Sequence, residues 1–408
     1  MDQSGTKDRD LWIGAALALV TLFFFYFSIK ATQQHFDYTS RIASALLEGQ
    51  VGLRTPAPSW LNEMVPLNGR QYSVFPLGAV LSMLPVAILQ KIKLVGEFPG
   101  RAIAALIAAW SVWFLFRLSI LGIKSLPKRI LFSLVPIFGT WTWSNLGFGG
   151  AWQIALGLSF LGEIAALYFV LVEFRPLVAG AFFALAIGNR TEIVLCLPVF
   201  GYFLIKHVTP EAKSWTALAQ QARENWRTFV YFLAVPIALG LCTALYNFAR
   251  FHSPFDFGYA HIPNVMSEPW YRHGLFSVYA IPWNIHKMLL EGFRDAPSFP
   301  YISFAPFGCS IFLASPFLVL IFREGGIQRV AVWIAIALLT LALWAHGNPG
   351  GWEFSYRYAM VLLPWMFLLL IGNGPPKISA IELSLFVVSV AINGIAMYQF
   401  LWTTQIHP

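Results

Sequence analysis

The chain has 408 residues, of which 58% are hydrophobic and only 11% are charged. Soluble domains carry about 25% charged residues, so this composition excludes a soluble globular protein and favours a polytopic membrane protein. The net charge of +8 is dispersed among the loops, which fits a positive-inside bias and contact with membrane lipids better than nucleic-acid binding. We predict a single all-α transmembrane domain over residues 1–408, with neither nucleic acid nor a protein as partner.

The first apolar run, residues 11–29, contains 19 residues. At 1.5 Å per residue it nearly crosses a hydrocarbon core of about 30 Å. No small-residue cleavage site follows it, so we expect it to stay as the first transmembrane helix. The mostly polar residues 30–73 come next and form the first predicted external loop, which carries Asp37.

Apolar residues follow Asp37 at helical spacing, at Ile42, Ala45 and Leu46, and Gly49 suits a helix C-terminus. The pattern predicts a short amphipathic helix in the membrane interface. Asp37 lies at its start, where the helix dipole favours negative charge. This carboxylate is therefore either a catalytic group or only a helix cap.

The rest of the chain alternates between apolar segments and polar turns. The apolar segments are 11–29, 74–90, 102–121, 130–147, 151–172, 176–189, 191–205, 229–249, 302–322, 329–345, 357–371 and 378–401. Basic residues place the N-terminus, residues 206–228 and the turn 323–329 in the cytoplasm. Within 206–228, aromatic and apolar residues at helical spacing predict a cytoplasmic interfacial helix.

This assignment leaves residues 251–301 as a second long external loop and requires one segment of the first half not to span. The short segment 74–90, which contains Pro76 and Pro85, is the best candidate. The alternative is that the basic residues 124–129 break the charge rule. We predict about eleven transmembrane helices, within a range of about 10–13, with the C-terminus outside.

Most candidate catalytic and binding groups collect on the external side. A transporter must present its substrate groups near the midplane and open to both faces, so one-sided polar groups favour an enzyme acting on a membrane-bound substrate. Arg190, Arg250 and Arg357 each end an apolar segment there, where a guanidinium suits bidentate phosphate binding. Alternatively they reach lipid headgroups or pair with neighbours such as Glu192 and Glu353.

The sequence predicts no metal site. The three cysteines show no CxxC spacing and the histidines of the second external loop form no HxxxH or HxH pair. A divalent cation held by Asp37 and neighbouring groups is left open.

Four stretches resemble a known family. They are HFDYTSRIASALLEG with LNEMVPLNGRQYSVFPLGAVLSMLP in the first loop, the weaker match GNRTEIVLCLP, LYNFARFHSPFDFGY and SYRYAMVLLPW. Together they resemble the GT-C superfamily of integral-membrane glycosyltransferases, in its family 39-like branch of protein O-mannosyltransferase-like and aminoarabinose-transferase-like proteins. Two departures are that the family's Asp-Glu pair is here Asp37-Tyr38, and that no acceptor-specific loop is recognisable.

The resemblance implies inverting transfer of a sugar from a polyprenyl-phosphate donor to a lipid, glycan or protein acceptor on the external face of the cell (inner) membrane. Asp37 would be the general base. The donor phosphate would be bound by Arg357, Arg250, Arg190 and Arg70, and substrate by Glu63, Tyr72 and Tyr358. The competing interpretations are a lipid-linked polysaccharide polymerase or ligase, and a flippase or transporter of a lipid-linked sugar.

Overall fold

The computed structural model describes residues 3–30, 35–210, 214–297, 299–404 and 406. Three short internal gaps therefore lie outside the described part of the chain. They are residues 31–34 of the first predicted external loop, 211–213 of the predicted cytoplasmic helix and Ser298 of the second predicted external loop. The described chain is mostly helical, as the composition predicts.

The α-helices carry the fold, and two short antiparallel hairpins accompany them. The helices are α1 (Gln3–Ser28), α2 (Tyr38–Leu46), α3 (Leu77–Leu81), α4 (Leu84–Lys91), α5 (Gly100–Leu118), α6 (Leu126–Phe138), α7 (Thr142–Gly147), α8 (Ala151–Leu171), α9 (Pro176–Asn189), α10 (Leu197–Val208), α11 (Trp215–Glu224), α12 (Trp226–Phe251), α13 (Ile281–Ile285), α14 (Ile311–Ala314), α15 (Arg329–Ala345), α16 (Leu363–Ile371) and α17 (Ala380–Trp402). The hairpins are β1 (Met64–Leu67) with β2 (Arg70–Ser73), and β3 (Arg294–Asp295) with β4 (Ile302–Ser303).

Six of the described helical segments are long and apolar enough to cross a membrane. They are Arg9–Ser28, Gly100–Leu121, Ala151–Leu171, Thr191–Val208, Trp226–Phe251 and Ala380–Trp402. Shorter apolar helical segments are Leu77–Lys91, Pro176–Asn189, Arg329–Ala345 and Arg357–Ile371. These lengths and compositions support a membrane protein.

Some apolar segments are less regular than the sequence predicts. The segment 130–147 breaks after Phe138, where Pro136 has removed one helical N–H. The segment 302–322 contains only the four-residue helix α14 followed by a 3₁₀ helix from Pro316 to Phe322. Gly308 ahead of α14 has a φ of +115°, which is incompatible with a continuing right-handed helix.

One end of the bundle is held by buried ion pairs. Nη1 of Arg129 lies 2.5 Å from Oδ2 of Asp10. Nζ of Lys128 and Nη1 of Arg323 each lie 2.8 Å from Oε1 of Glu382. These pairs join the start of α1, the start of α6, the turn before α15 and the start of α17. Four distant parts of the chain therefore meet at this end.

The opposite ends of the helices form a second group of turns. The backbone N–H of Ala151 donates to the carbonyl of Phe36 over 2.8 Å, and Nδ2 of Asn189 donates to Oγ of Ser82 over 3.2 Å. Ser277 in the second long loop donates its N–H to the carbonyl at the end of α15. The first loop with α2, α3 and α4 thus lies at the same end as residues 251–301 and 346–356.

The segment 74–90 forms the two short helices α3 and α4, which pack against α2. Within this contact, Oγ of Ser40 donates to Oε1 of Gln90 over 3.2 Å. The backbones of Gly78 in α3 and Gly188 in α9 are in direct contact. A Cβ added at residue 78 would lie only 2.4 Å from the Cα of Gly188. The first loop is therefore packed directly onto the helix bundle.

Candidate functional site

Asp37 stands at the N-terminal end of α2, where the sequence predicts a helix start. Its side chain caps no backbone N–H. Instead, Oδ1 accepts a hydrogen bond of 2.8 Å from Nε of Arg41, one helical turn later. Asp37 is 9% exposed, so the carboxylate is largely enclosed but paired with a cation. The alternative that Asp37 serves as a side-chain cap is not what this geometry shows.

Asp37 lines an open cavity of about 700 Å³. One face of α2 forms part of its wall, through Asp37, Ser40, Arg41, Ser44 and Glu48. Residues 52–57, Gln90 and 96–98 form further walls. Ser40 is buried and Glu48 is exposed, so the cavity leads from the surface down to the Asp37 carboxylate.

Tyr38 lies on the buried side of α2, next to Asp37 in the chain. Its hydroxyl donates to Oδ1 of Asn62 over 3.3 Å, and its ring lies 5.9 Å from the ring of Phe75. Burial and the nearby Glu63 carboxylate raise the pKa of Tyr38. The tyrosine therefore stays neutral, and it joins the buried side of α2 to the part of the first loop around Glu63.

Glu63 and Arg357 come together although they are distant in sequence. Burial raises the pKa of Glu63, while the positive charge of Arg357 and the indole of Trp152 oppose that shift and Glu268 adds to it. Oε2 of Glu63 is buried and has no hydrogen-bond partner among the described residues. A buried polar atom without a hydrogen bond is costly. Glu63 therefore keeps an unused acceptor oxygen in this cluster.

Arg357 is held by a buried carboxylate. Its Nη1 donates to Oε1 of Glu353 over 3.0 Å, and its Nη2 donates to the hydroxyl of Tyr358 over 3.3 Å. Gln153 donates a short hydrogen bond to the same oxygen of Glu353. Burial raises the pKa of Glu353, and the neighbouring Arg357 opposes the shift. Nε of Arg357 is buried without a partner in the described chain.

Arg190 reaches the same cluster from the end of α9. Its guanidinium lies 4.5 Å from the centre of the Tyr358 ring, and its Nη2 lies 2.6 Å from Oε1 of Glu192. Arg357 lies 5.0 Å from the same ring. Both arginines therefore contact the Tyr358 ring, and each is paired with a glutamate, as the pairing alternative predicts.

Arg250 and Tyr72 form a separate cluster. Arg250 is 2% exposed, and it donates to the Ser73 carbonyl through Nη1 and to Oδ1 of Asn247 through Nη2. Tyr72 packs edge-on against Phe251, the neighbour of Arg250. Arg250 thus joins α12 to the first hairpin through Nη1, while its buried Nε has no hydrogen-bond partner among the described residues.

Arg70 lies apart from both clusters. It opens strand β2 opposite Leu67, at the turn of the first hairpin. Its side chain makes no hydrogen bond or ion pair with the described residues. Of the predicted phosphate-binding arginines, only Arg190 and Arg357 come together.

Several polar residues in this region are absent from the predicted site. Glu353 precedes Arg357 by four residues, so its pairing could be anticipated from spacing, whereas the contact with Gln153 joins residues 200 positions apart. The second long loop contributes Tyr259 and Tyr271, whose hydroxyls lie 2.8 Å apart. No local pattern marks these tyrosines, because they come together only through the folding of that loop.

Among the residues that the structure describes, no group of three or more His, Cys, Asp or Glu side chains is arranged to hold a metal ion. No family model, curated protein or solved structure matches the chain.

Proposed function

We propose that this protein is an integral-membrane glycosyltransferase, which moves a sugar from a polyprenyl-phosphate donor to an acceptor on the external face of the cell (inner) membrane. The apolar helices of membrane-spanning length support a membrane location. Asp37, Glu63, Arg190 and Arg357 all lie at the end of the bundle that carries the first loop, which supports chemistry on that face. The proposal agrees with the GT-C resemblance of the first loop.

The topology we propose has about eleven crossings, with the N-terminus in the cytoplasm. Its support is the alternation of the turns between the two ends of the bundle. The turns near Asp10, Arg129 and Glu382 share one end, while the first loop and residues 346–356 share the other. The packing of α3 and α4 against α2 supports the segment 74–90 as non-spanning.

The observation that carries the function is the position of the Asp37 carboxylate in the wall of an open cavity. In the proposed reaction, the acceptor oxygen forms a bond to the anomeric carbon of the donor sugar. The bond between that carbon and the phosphate oxygen breaks, and its electron pair leaves with the polyprenyl phosphate. The acceptor proton passes to Asp37, and Arg41 holds the carboxylate in place.

Arg357 and Arg190 supply positive charge for the leaving phosphate. The phosphate becomes more negative as the bond to the sugar breaks, so fixed guanidinium groups stabilise that change. Arg357 has an unused N–H at Nε, and Arg190 contacts the ring of the same tyrosine, Tyr358. Tyr38 follows Asp37 in the chain, and the Glu63 carboxyl near Tyr38 also lies within the influence of Arg357, so the first loop brings the base and this cluster into one region.

The test is sugar transfer by the purified protein in lipid nanodiscs, with polyprenyl-phosphate sugars as donors. Asp37→Asn keeps the size of the side chain but cannot accept the proton, so we expect transfer to fall by about 10²–10⁴-fold. Asp295→Asn in the exposed strand β3 is the matched control and should transfer at the wild-type rate.

Full activity of Asp37→Asn would remove the base assignment. A lipid-linked polysaccharide polymerase or ligase would be favoured if activity survived that change. Transfer of none of the donors, together with movement of a labelled lipid-linked sugar across vesicles, would favour a flippase.

A further inference from the structure

The cavity beside Asp37 has a polar wall that belongs to one helix. Its members on α2 and the adjoining turn follow helical spacing, at Asp37, Ser40, Arg41, Ser44 and Glu48. The apolar stripe of the same helix points the other way and is buried in the core, with Ile42 and Ala43 fully enclosed. Serines at two of the wall positions leave room in front of α2. The helix therefore presents hydroxyl, carboxylate and guanidinium groups to an open space.

Neutral hydrogen-bonding groups continue around the cavity. Gln50, Thr55 and Gln90 all line it. Gln90 uses its carbonyl oxygen to accept from Ser40, which leaves its amide N–H groups as donors. The ring of Phe98 is a buried apolar surface at the same cavity. Amide, hydroxyl and carboxylate groups beside an aromatic ring match the alternating polar and C–H faces of a sugar.

The charges of the cavity argue against an anionic ligand. Its carboxylates are Asp37, Glu48 and Glu97, and its guanidiniums are Arg41 and Arg54. Arg41 is already paired with Asp37. The lining thus has no surplus of positive charge for a phosphate. It also lacks the continuous apolar lining that an acyl chain needs.

At Leu53, this wall offers no free backbone edge to a peptide strand. Leu53 lines the cavity, and its N–H and C=O are both paired with Gln71 in an antiparallel bridge. Addition of a peptide strand requires unpaired backbone groups. The volume of about 700 Å³ lies within the range of about 300–1,000 Å³ of small-molecule sites.

We propose that this cavity is the acceptor site, and that the acceptor is the neutral, hydroxyl-rich end of a carbohydrate. The proposal rests on the transferase function above, because a general base must touch the acceptor hydroxyl and Asp37 lines this cavity. The donor phosphate then lies at Arg357.

Binding can be measured separately from transfer by cysteine protection. Cys242 is the exposed cysteine among the described residues, so the full chain first carries Cys242→Ser. A single new cysteine is then introduced, either Ser44→Cys in the cavity or Ser59→Cys outside it. The protein, in nanodiscs, is labelled with a charged maleimide in the presence of one of three probes. The probes are mixed neutral trisaccharides (maltotriose, mannotriose and galactotriose), lysophosphatidylglycerol and a serine-rich peptide.

We expect the trisaccharides to slow labelling of Ser44→Cys about tenfold when the free concentration of the sugar that binds is about ten times its Kd. Labelling of Ser59→Cys should not change. The lysolipid and the peptide should protect neither position. Protection by the lysolipid or the peptide but not by the sugars would overturn the proposal, and so would protection by none of the probes at the highest soluble concentration.

Two variants separate this inference from the proposed function. Ser44→Trp fills the cavity and should abolish transfer while polyprenyl-phosphate binding is retained, whereas Ser59→Trp should change neither. Asp37→Asn should retain sugar protection and lose transfer. Normal transfer by Asp37→Asn would remove the base assignment and would leave the acceptor site to be decided by the protection measurement. Loss of transfer in Asp37→Asn with no sugar protection of Ser44→Cys would contradict the acceptor site alone.

Discussion

Nη1 of Arg357 lies 3.0 Å from Oε1 of Glu353, and the two residues are four positions apart. The carboxylate is almost completely buried, at 1% exposed. Nη2 of the same guanidinium contacts the Tyr358 hydroxyl, while Nε has no partner in the described chain. The arginine is therefore fixed in orientation by two hydrogen bonds, and the N–H at Nε is among those left for a ligand.

Arg357→Lys should weaken binding of polyprenyl phosphate by about tenfold or more, which corresponds to about 1.4 kcal/mol. A lysine offers one point charge and cannot hold Glu353 and Tyr358 while it also binds a phosphate. The measurement is titration of polyprenyl phosphate into the protein in nanodiscs. The exposed Arg272→Lys is the control. Equal affinity of Arg357→Lys and wild type would show that Arg357 acts only as a structural partner of Glu353.

Arg250→Lys should instead lower stability. A lysine cannot reach both the Ser73 carbonyl and Asn247, so the variant loses buried charged hydrogen bonds worth about 1.5–3 kcal/mol each. We expect a lower thermal unfolding temperature in detergent and an unchanged affinity for polyprenyl phosphate. An unchanged unfolding temperature together with lost affinity would instead support Arg250 as a group that binds the donor phosphate.

Buried carboxylates should make stability depend on pH. Burial raises the folded-state pKa of Glu353 above its ordinary value of 4.5. The folded state then binds more protons than the unfolded state, so the free energy of unfolding falls as the pH rises from 4.5 through the raised pKa. Glu353→Gln should flatten this part of the profile.

The readout for Glu353→Gln is the slope of stability against pH in detergent, since the loss of the Arg357 partner lowers stability at every pH. Glu324→Gln, in an exposed turn, should keep the wild-type slope. A slope that is the same in Glu353→Gln and wild type would mean that this carboxyl does not titrate in the window.

The topology is testable with two single cysteines in a cysteine-free chain. Ser59→Cys lies in the first loop and should react with an impermeant thiol reagent added to intact cells. Ser214→Cys, at the cap of α11, should react only after the membrane is opened. Labelling of Ser214→Cys in intact cells would invert the proposed orientation and put the Asp37 cavity in the cytoplasm.

Local patterns predicted the parts of the site that are built from neighbouring residues. The helix after Asp37 follows from its apolar spacing, and Gly49 has the positive φ of 71° that a helix end favours. The same spacing leaves Ser40, Ser44 and Glu48 on the cavity side, a signal that was present in the sequence. The pairing of Arg190 and Arg357 with Glu192 and Glu353 was among the predicted alternatives.

The rest of the site depends on contacts between distant parts of the chain. Glu63 approaches Arg357 only because the first loop folds back over the bundle. Gln153 and Tyr259 reach the same region from α8 and from the second long loop. The separation of Arg250 from Arg357 also depends on packing, since both end an apolar segment at the same end. Sequence spacing carries no information on such distances.

The close approach of Gly78 and Gly188 has a consequence for inactivation by heat. Neither residue has a side chain that could act as a spacer, so α3 cannot lift from α9 without opening a gap between two backbones. Because α2 packs on α3 and α4, the loop that carries Asp37 has little freedom to detach on its own. Loss of the proposed transfer activity on heating should therefore coincide with melting of the whole bundle, with no earlier step in which an intact bundle has lost its first loop.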